Sequence, residues 1–265
     1  MVQSASMTEY VDVATAASAK GMRLVLTKGV PGPWSESAKG ILHAKRIPFL
    51  RVAQEAAGEN AALKAWTGHA NAPVAVFDDE PPRAGWAEIL MLAERVAPAP
   101  RLVPEDTRTR AIMLGYAHEL CGELGFGWNR RLMMLDRMLP REGDPLGGNG
   151  PAELLGKRYG YSREAASAAG DRVARTLDEL ARLLREQLAS GRRFLIGDSL
   201  TALDIYWSAF AALIEPLPES LCPMPKGLRG FYVLDDETLR ARVDPELLAH
   251  RDFIYQGYLE LPLRL

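Results

Sequence analysis

A serine hydroxyl lies near the start of a predicted helix, where a polar side chain and free backbone N–H groups come together. Val30-Pro-Gly-Pro33 ends a strand-like segment, where Gly32 suits the N-cap and Pro33 suits the first helical position. Ser35 then lies in the first turn. The free backbone N–H groups and the dipole of a helix N-terminus attract negative charge. The segment could therefore stabilise an anion, although Ser35 could equally be a first-turn residue that hydrogen-bonds the backbone.

The sequence shows no recognisable motif for other kinds of reactive site. Cys121 and Cys222 are the only cysteines and form no C-x-x-C pair, and the four histidines have no metal-ligand spacing, so no metal site is predicted. Gly122-x-x-Gly125-x-Gly127 follows a predicted helix and is interpreted as a turn, because a dinucleotide fingerprint follows a strand. The sequence also lacks a P-loop, a G-x-S-x-G elbow and an H-E-x-x-H motif.

Composition and charge are those of an ordinary soluble globular protein. Of the 265 residues, 48% are hydrophobic and 25% are charged, and the net charge of −2 argues against a general nucleic-acid binder. Arg130-Arg131 and Arg192-Arg193 are predicted to lie on solvated helix faces or ends. No apolar run is long enough to span a membrane. The low cysteine content and a first segment without signal-peptide character predict a cytoplasmic protein.

Up to residue 97, the sequence predicts alternating strands and helices. The predicted strands cover residues 22–27, 47–52 and 71–77, and the predicted helices cover residues 33–45, 60–66 and 86–96. Because a helix connects the first two strands, these strands should run parallel. Residues 1–20 are predicted to be an N-terminal extension that is partly helical or disordered.

A proline-rich linker separates this half from a second, helical half. Ala97-Pro-Ala-Pro100 and Pro104 interrupt any regular pattern. Helices are then predicted over residues 107–124, 127–139 and 162–188, from Thr201, and from Asp244-Pro245 onward, with a Gly-rich loop over 142–150 and a proline-rich loop over 217–225. The predicted domains are residues 21–97 and residues 105–265.

The best-specified helix start is at Thr201. In Thr201-Ala-Leu-Asp204, the threonine hydroxyl can accept from the Asp204 N–H, and the Asp204 carboxylate can accept from the Thr201 N–H. This reciprocal arrangement is a capping box. With Gly197-Asp198 ahead of it, the segment resembles the capping-box segment in the C-terminal domain of glutathione S-transferases.

The order of the predicted strands and helices over about residues 21 to 260 also resembles that of glutathione S-transferases. The strand–turn–helix opening, Ala72-Pro73 before the third strand and the Thr-x-x-Asp box follow one another as in that family. The resemblance implies an α/β plus all-α protein, with an N-terminal thioredoxin-like domain that binds glutathione and a C-terminal helical bundle. It also implies a homodimer.

The resemblance implies that the sulfur of glutathione binds at the first helix start. Relatives often carry Ser-Pro or Cys-Pro and an aromatic residue where this chain has Gly32, Pro33 and Trp34. Lowering the pKa of the glutathione thiol is the main catalytic task, because the thiolate is the nucleophile. Ser35 is the nearest hydroxyl and is predicted to be the catalytic residue, assisted by the N–H groups of Trp34 and Ser35.

Two further glutathione contacts follow from the resemblance. The cysteinyl part would pair with the main chain of Ala72 like a short added strand, between Asn71 and Pro73, whose peptide bond is cis in the family. The γ-glutamyl end would meet Gly85 and Trp86 at the start of the third helix. Relatives commonly have a Glu or Gln followed by Ser at these two positions.

The implied activity is conjugation of the glutathione thiolate to a small hydrophobic electrophile held between the domains. Tyr116 and Trp128 are predicted to line that pocket. Two alternatives stay open. The chain could be a non-catalytic binding or assembly module, since the usual side chains are missing at Gly32 and Trp86. It could also be a glutathione-dependent reductase or lyase, although no cysteine stands at the first helix start.

Overall fold

A four-stranded mixed sheet organises the N-terminal part of the chain in the computed structural model, which describes residues 9–56, 58–139, 151–225 and 227–265. The strands are β1 (Tyr10–Val11), β2 (Met22–Thr27), β3 (Phe49–Gln54) and β4 (Val74–Phe77), in the spatial order β1-β3-β2-β4. β3 runs parallel to β1 and β2, whereas β4 is antiparallel to β2. The predicted parallel pairing of the first two predicted strands is therefore confirmed.

Helices cover both faces of this sheet. They are α1 (Val13–Ser18), α2 (Pro33–Ala44), α3 (Ala61–Thr67) and α4 (Trp86–Val96). Successive side chains of a strand point to opposite faces. Leu24 and Leu26 of β2 accordingly join the core that contains α2 and α4, whereas Val25 joins the smaller core that contains α1 and α3.

The described part of the predicted N-terminal extension belongs to this layer. Tyr10 and Val11 align with Arg51 and Val52 of β3, so β1 extends the sheet at one edge. The carboxylate of Asp12 then accepts a hydrogen bond from the Thr15 N–H at 2.7 Å and caps α1. β1 and α1 thus add a strand and a helix before the first predicted strand.

The second half of the chain is helical, as the sequence predicts. Its helices are α5 (Thr107–Cys121), α6 (Phe126–Met138), α7 (Pro151–Arg158), α8 (Arg163–Ala189), α9 (Ala202–Phe210), α10 (Leu228–Tyr232), α11 (Glu237–Arg240) and α12 (Pro245–Tyr258). The caps at Ser162 and Asp244 begin α8 and α12 at the predicted positions. The Gly-rich segment predicted as a loop over residues 142–150 lies outside the described residues. No helix in the described ranges is long and apolar enough to cross a membrane.

A buried carboxylate holds the start of α9. Asp204 is fully buried, and one of its oxygens accepts from both the N–H and the hydroxyl of Thr201 at 2.8 Å each. The other oxygen accepts from the Leu195 N–H at 2.8 Å and lies 3.0 Å from Nε2 of His250. These contacts fix α9, which packs against α2, α5 and α12 and forms the centre of the contact between the two halves.

Candidate functional site

The start of α2 presents hydrogen-bond donors that have no acceptor in the described part of the chain. Gly32 is the N-cap, and the first helical hydrogen bond joins the Glu36 N–H to the Gly32 oxygen at 2.8 Å. The preceding N–H groups of Trp34 and Ser35 have no main-chain acceptor among the described residues. The side chain of Ser35 is 4% exposed and forms no hydrogen bond with any described residue. Two N–H groups and one hydroxyl are therefore available to a ligand anion.

Two neighbouring hydroxyls are, by contrast, already bonded. The Ser37 hydroxyl donates to the Pro33 oxygen at 2.6 Å, within α2. The Thr27 hydroxyl donates to Oε1 of Gln54 at 2.7 Å. Ser35 is thus the hydroxyl at this helix start that can donate to a bound group without losing an internal bond.

The sheet places Ala72 beside the end of β2, from which the chain passes to α2. β2 and β4 are antiparallel with Val25 opposite Val74, and continuation of this register places Ala72 beside Thr27, the last residue of β2. The Ala72–Pro73 peptide bond is cis, as the resemblance implies. The N–H and C=O of Ala72 form no hydrogen bond with the described parts of the chain. Ala72 therefore offers an unpaired main-chain donor and acceptor beside the end of β2.

The chain returns past Pro73 before α4 begins, and one N–H group at the start of α4 already binds a carboxylate of the protein. Ala75 and Arg83 exchange two main-chain hydrogen bonds of 2.8 and 2.9 Å, which direct the chain back toward Pro73 as it reaches Gly85. The Gly85 N–H donates to Oε2 of Glu88 at 2.9 Å. Glu88 thus occupies the N–H of Gly85, one of the two residues predicted to contact the γ-glutamyl end of glutathione.

The two tryptophans predicted to contact glutathione both pack against the helical half. Nε1 of Trp34 donates to the Cys121 oxygen at 2.8 Å, and its ring centre lies 4.9 Å from that of Phe210. The ring of Trp86 packs edge-on against Tyr206 at 5.5 Å, and its main-chain oxygen accepts from the Tyr206 hydroxyl at 3.2 Å. Both side chains therefore join the two halves of the protein at the border of the candidate site.

Arg131 of α6 lies at this border and was missed as a site residue by sequence reasoning. Its guanidinium carbon is 4.2 Å from the ring centre of Trp34, 3.9 Å from that of Tyr159 and 5.8 Å from that of Trp128. Burial lowers the pKa of Arg131 from its ordinary value. No feature of the Arg130-Arg131 dipeptide marks one of its members as lying under aromatic rings.

The prediction that Arg130-Arg131 lies on a solvated helix face is wrong. Arg130 is 1% exposed and donates to the Leu213 oxygen at 2.9 Å, and Arg131 is half-buried. Both face the interior because α6 packs against α8 on one side and against the α2 start on another. The second pair, Arg192-Arg193, is exposed as predicted.

The two predicted pocket residues have different neighbours. The Tyr116 hydroxyl of α5 accepts from Nη2 of Arg182 in α8 at 3.4 Å. Trp128 of α6 packs edge-on against Tyr159 at 5.8 Å and lies on the same side as Arg131. Trp128 is therefore the member of the pair that lies near the α2 start.

Helix α7 connects the helical half to the predicted peptide-binding segment. Nη1 of Arg158, at the end of α7, donates to Oδ1 of Asn71 at 2.7 Å. Asn71 immediately precedes Ala72, and Tyr159 immediately follows Arg158. The candidate site is thus bounded by the α2 start, the segment around Ala72, and the side chains of Arg131 and Tyr159.

A cavity of about 1200 Å³ lies elsewhere in the molecule and contains none of these residues. It is lined by β3 and by residues close to α12, including Arg46, Phe49, Arg51, Tyr258 and Arg264. No group of three or more His, Cys, Asp or Glu within the described ranges could hold a metal ion.

The cysteines are poor candidates for nucleophiles. Both are buried, and burial raises the pKa of Cys222 to about 11 and that of Cys121 well above its ordinary value. A thiol is reactive as its thiolate, and both thiols are protonated near neutral pH.

No protein-family model matches the sequence, and no curated protein does. Solved structures resemble it over nearly the whole chain. A glutathione S-transferase from Methylobacterium radiotolerans in complex with glutathione sulfonate is 19% identical, with a TM-score of 0.61 over 90% of this chain and 92% of the other. A glutathione S-transferase from Methylobacillus flagellatus with glutathione bound is 16% identical, with a TM-score of 0.63 over 89% and 95%.

A β-etherase from a Sphingobium strain is also similar, at 19% identity and a TM-score of 0.58 over 88% of this chain and 94% of the other. At such low identity these likenesses show the fold. The chain has the glutathione S-transferase fold, and the predicted fold class, a thioredoxin-like domain followed by a helical bundle, is confirmed.

Proposed function

We propose that this protein, whose fold is that of glutathione S-transferases, binds glutathione and transfers it to a small electrophile. The observation that carries the proposal is that the Ser35 hydroxyl and the N–H groups of Trp34 and Ser35 have no hydrogen-bond acceptor among residues 9–56, 58–139, 151–225 and 227–265. These donors suit an anionic sulfur. Structures of the same fold that hold glutathione or glutathione sulfonate support the choice of ligand.

Bound glutathione would supply the thiolate nucleophile. The Ser35 hydroxyl donates a hydrogen bond to the sulfur, and the two N–H groups at the start of α2 add their partial positive charge. Hydrogen bonds to the charged form favour that form, so these donors lower the pKa of the thiol. The N–H and C=O of Ala72, flanked by Asn71 and Pro73, pair with the cysteinyl main chain as an added strand would.

The γ-glutamyl end is assigned to the start of α4. Gly85 and Trp86 carry no side chain that could accept from its ammonium group, but the exposed carboxylate of Glu88 stands at the same helix turn. One carboxylate oxygen accepts from the Gly85 N–H, and the other would accept from the ammonium. Glu88 thus supplies a charge-assisted contact that the Gly85-Trp86 pair lacks.

The acceptor is a small hydrophobic electrophile that lies against Trp128 and the facing helices, with Tyr116 farther along α5. A cytoplasmic homodimer is part of the same proposal, and light scattering on the purified protein tests the dimer. No thiol of the chain takes part, because Cys121 and Cys222 are buried with raised pKa values.

Isothermal titration with glutathione tests the ligand, and turnover of 1-chloro-2,4-dinitrobenzene tests the reaction. We expect saturable binding at millimolar or lower concentration and a conjugation rate above that of glutathione alone. Absence of binding at millimolar glutathione would contradict the proposal.

A non-catalytic binding or assembly module is the second candidate. The observation that favours it is the use of Trp34 and Trp86 in packing between the halves, which gives both residues a structural role. Glutathione binding without any rate enhancement, with 1-chloro-2,4-dinitrobenzene and with other aryl halides, would favour the non-catalytic module.

A further inference from the structure

We propose that Arg131 binds an anionic group, specifically a carboxylate, on the electrophilic substrate. The inference deepens the proposed function and rests on it, because the site of this carboxylate borders the site proposed for glutathione. Arg131 lies against Trp34, and Trp34 immediately precedes Ser35 in the first turn of α2.

Arg131 has neither an anionic partner nor a hydrogen-bond acceptor among the described residues. A guanidinium carries five N–H donors in a planar fork that matches a carboxylate. Here the guanidinium carbon lies over aromatic rings, 3.9 Å from the ring centre of Tyr159 and 4.2 Å from that of Trp34. The rings hold the cation in place and leave its donors unused.

Other buried cations of this protein have a carboxylate or a main-chain oxygen as acceptor, and for Arg23 and Arg130 it is a main-chain oxygen. Lys45 contacts Glu94 at 2.5 Å, Lys39 contacts Glu36 at 2.7 Å, and Arg51 contacts Glu260 at 2.9 Å. Burying a charge is costly unless it is paired and hydrogen-bonded. Arg131 departs from this pattern at the border of the candidate site, which is where a ligand would supply the missing anion.

Two contacts link Arg131 to residues next to the proposed reaction centre. Trp34 connects it to the α2 start, and Tyr159 connects it to Arg158, whose guanidinium contacts Asn71 beside Ala72. An electrophile that lies against the sulfur site can therefore extend toward Arg131.

The surrounding rings also restrict the rest of the ligand. Trp34, Trp128 and Tyr159 supply apolar surface around the guanidinium. Aromatic faces pack well against planar groups. The substrate class is thus a planar, aromatic or unsaturated carboxylate that carries an electrophilic carbon.

Calorimetric titration with 4-nitrobenzoate and its neutral analogue 4-nitrobenzamide tests the inference without glutathione. We expect the wild-type protein to bind the carboxylate about tenfold more tightly than the amide, the ratio expected for one charge-assisted hydrogen-bonded pair. Arg131→Gln should abolish the preference and leave the affinity for the amide unchanged. Arg131→Lys keeps the positive charge but lacks the planar guanidinium, and should retain part of the preference for the carboxylate.

The matched control is Arg137→Gln on the same helix. Arg137 is paired with Asp235 at 3.0 Å, and its substitution should leave the preference unchanged. Circular dichroism confirms that each variant is folded, and the lysine variant keeps the test valid if the glutamine variant does not fold.

Equal binding of the two probes by the wild type, no binding of either, or a preference that survives in Arg131→Gln would overturn the inference. Arg131 would then act only as a packing cation between aromatic rings.

Glutathione is titrated into the same samples. Glutathione binding without carboxylate preference removes only this inference, whereas carboxylate preference without glutathione binding removes the proposed function and leaves Arg131 as an anion site.

Discussion

The indole N–H of Trp34 donates a 2.8 Å hydrogen bond to the main-chain oxygen of Cys121, and this bond joins the first turn of α2 to the end of α5. The residue next to Ser35 is thereby anchored in the helical half of the protein. The edge-on contact of Trp34 with Phe210 fixes the same ring from a second side. The donors at the α2 start are thus held in position before any ligand arrives.

Ser35→Ala should lower the rate of glutathione conjugation about ten- to hundredfold, because the sulfur loses its hydroxyl donor and keeps only the N–H groups. Steady-state kinetics with 1-chloro-2,4-dinitrobenzene measure the effect. Ser37→Ala is the matched control, since its hydroxyl already donates to Pro33 within the helix. Equal rates in the two variants would remove Ser35 from the mechanism.

Glu88→Gln should weaken glutathione binding about tenfold, because a carboxylate contact to the γ-glutamyl ammonium becomes a neutral one. Titration calorimetry measures the change. The Gly85 N–H can still donate to the amide oxygen of glutamine, so the helix start is preserved. Glu105→Gln, in an exposed pair with Arg101, should behave as the wild type does. Unchanged affinity in Glu88→Gln would place the γ-glutamyl end elsewhere.

Gly127→Ala should destabilise the protein by about 1–3 kcal/mol, a magnitude typical of overpacking. A Cβ at this position would lie 2.2 Å from Cε1 of Phe210 and 3.0 Å from the Trp34 ring. Urea unfolding measures the free energy. Gly115→Ala in α5 is the control, because a Cβ there meets no atom within 4 Å. We expect it to be neutral or stabilising by up to about 1 kcal/mol through helix propensity.

Asp204→Asn should cost about 2 kcal/mol or more of unfolding free energy, because asparagine keeps only one acceptor oxygen and turns its amide nitrogen toward the buried donors of either Thr201 or Leu195. The midpoint of urea unfolding reports this loss. Asp198→Asn serves as the comparison, since the Asp198 side chain is 85% exposed in its pair with Arg192. A loss below about 1 kcal/mol would contradict the role assigned to Asp204.

Cys121 and Cys222 should resist alkylation by iodoacetamide in the folded protein at pH 8 and react fully in urea. Burial raises both pKa values, so the thiolate of Cys222 forms only as the pH approaches about 11. Mass spectrometry of the labelled protein counts the modified thiols. Rapid labelling of either cysteine in the folded state would contradict this expectation and would favour a mechanism in which a thiol of the protein reacts.

Helix starts were the features most accessible to sequence reasoning. Gly32-Pro33, Ser162 and Asp244-Pro245 each begin a helix where predicted, and α4 covers the predicted residues 86–96. A cap depends on residues within one turn of one another, so its signal is present in a short stretch of sequence. The order of strands and helices followed from the same local signals, and it led to the correct fold.

The pairing of β1 with β3 and the surroundings of Arg131 were not accessible in this way. Tyr10 lies opposite Arg51, about forty residues away, and a two-residue strand has too few residues to show a period. Arg131 resembled a surface arginine because its burial under Trp34 and Tyr159 depends on three elements far apart in the chain.

The sequence by itself determined where the helices begin, the order of the elements and the position of Ser35 in a first helical turn. Only the tertiary structure decided that Trp34 and Trp86 pack between the halves, that Glu88 occupies the α4 start and that Arg131 has no anionic partner among the described residues. The physical reason is the separation along the chain over which each interaction acts. Capping and periodicity act over a few residues, whereas burial and charge pairing depend on which distant elements come into contact.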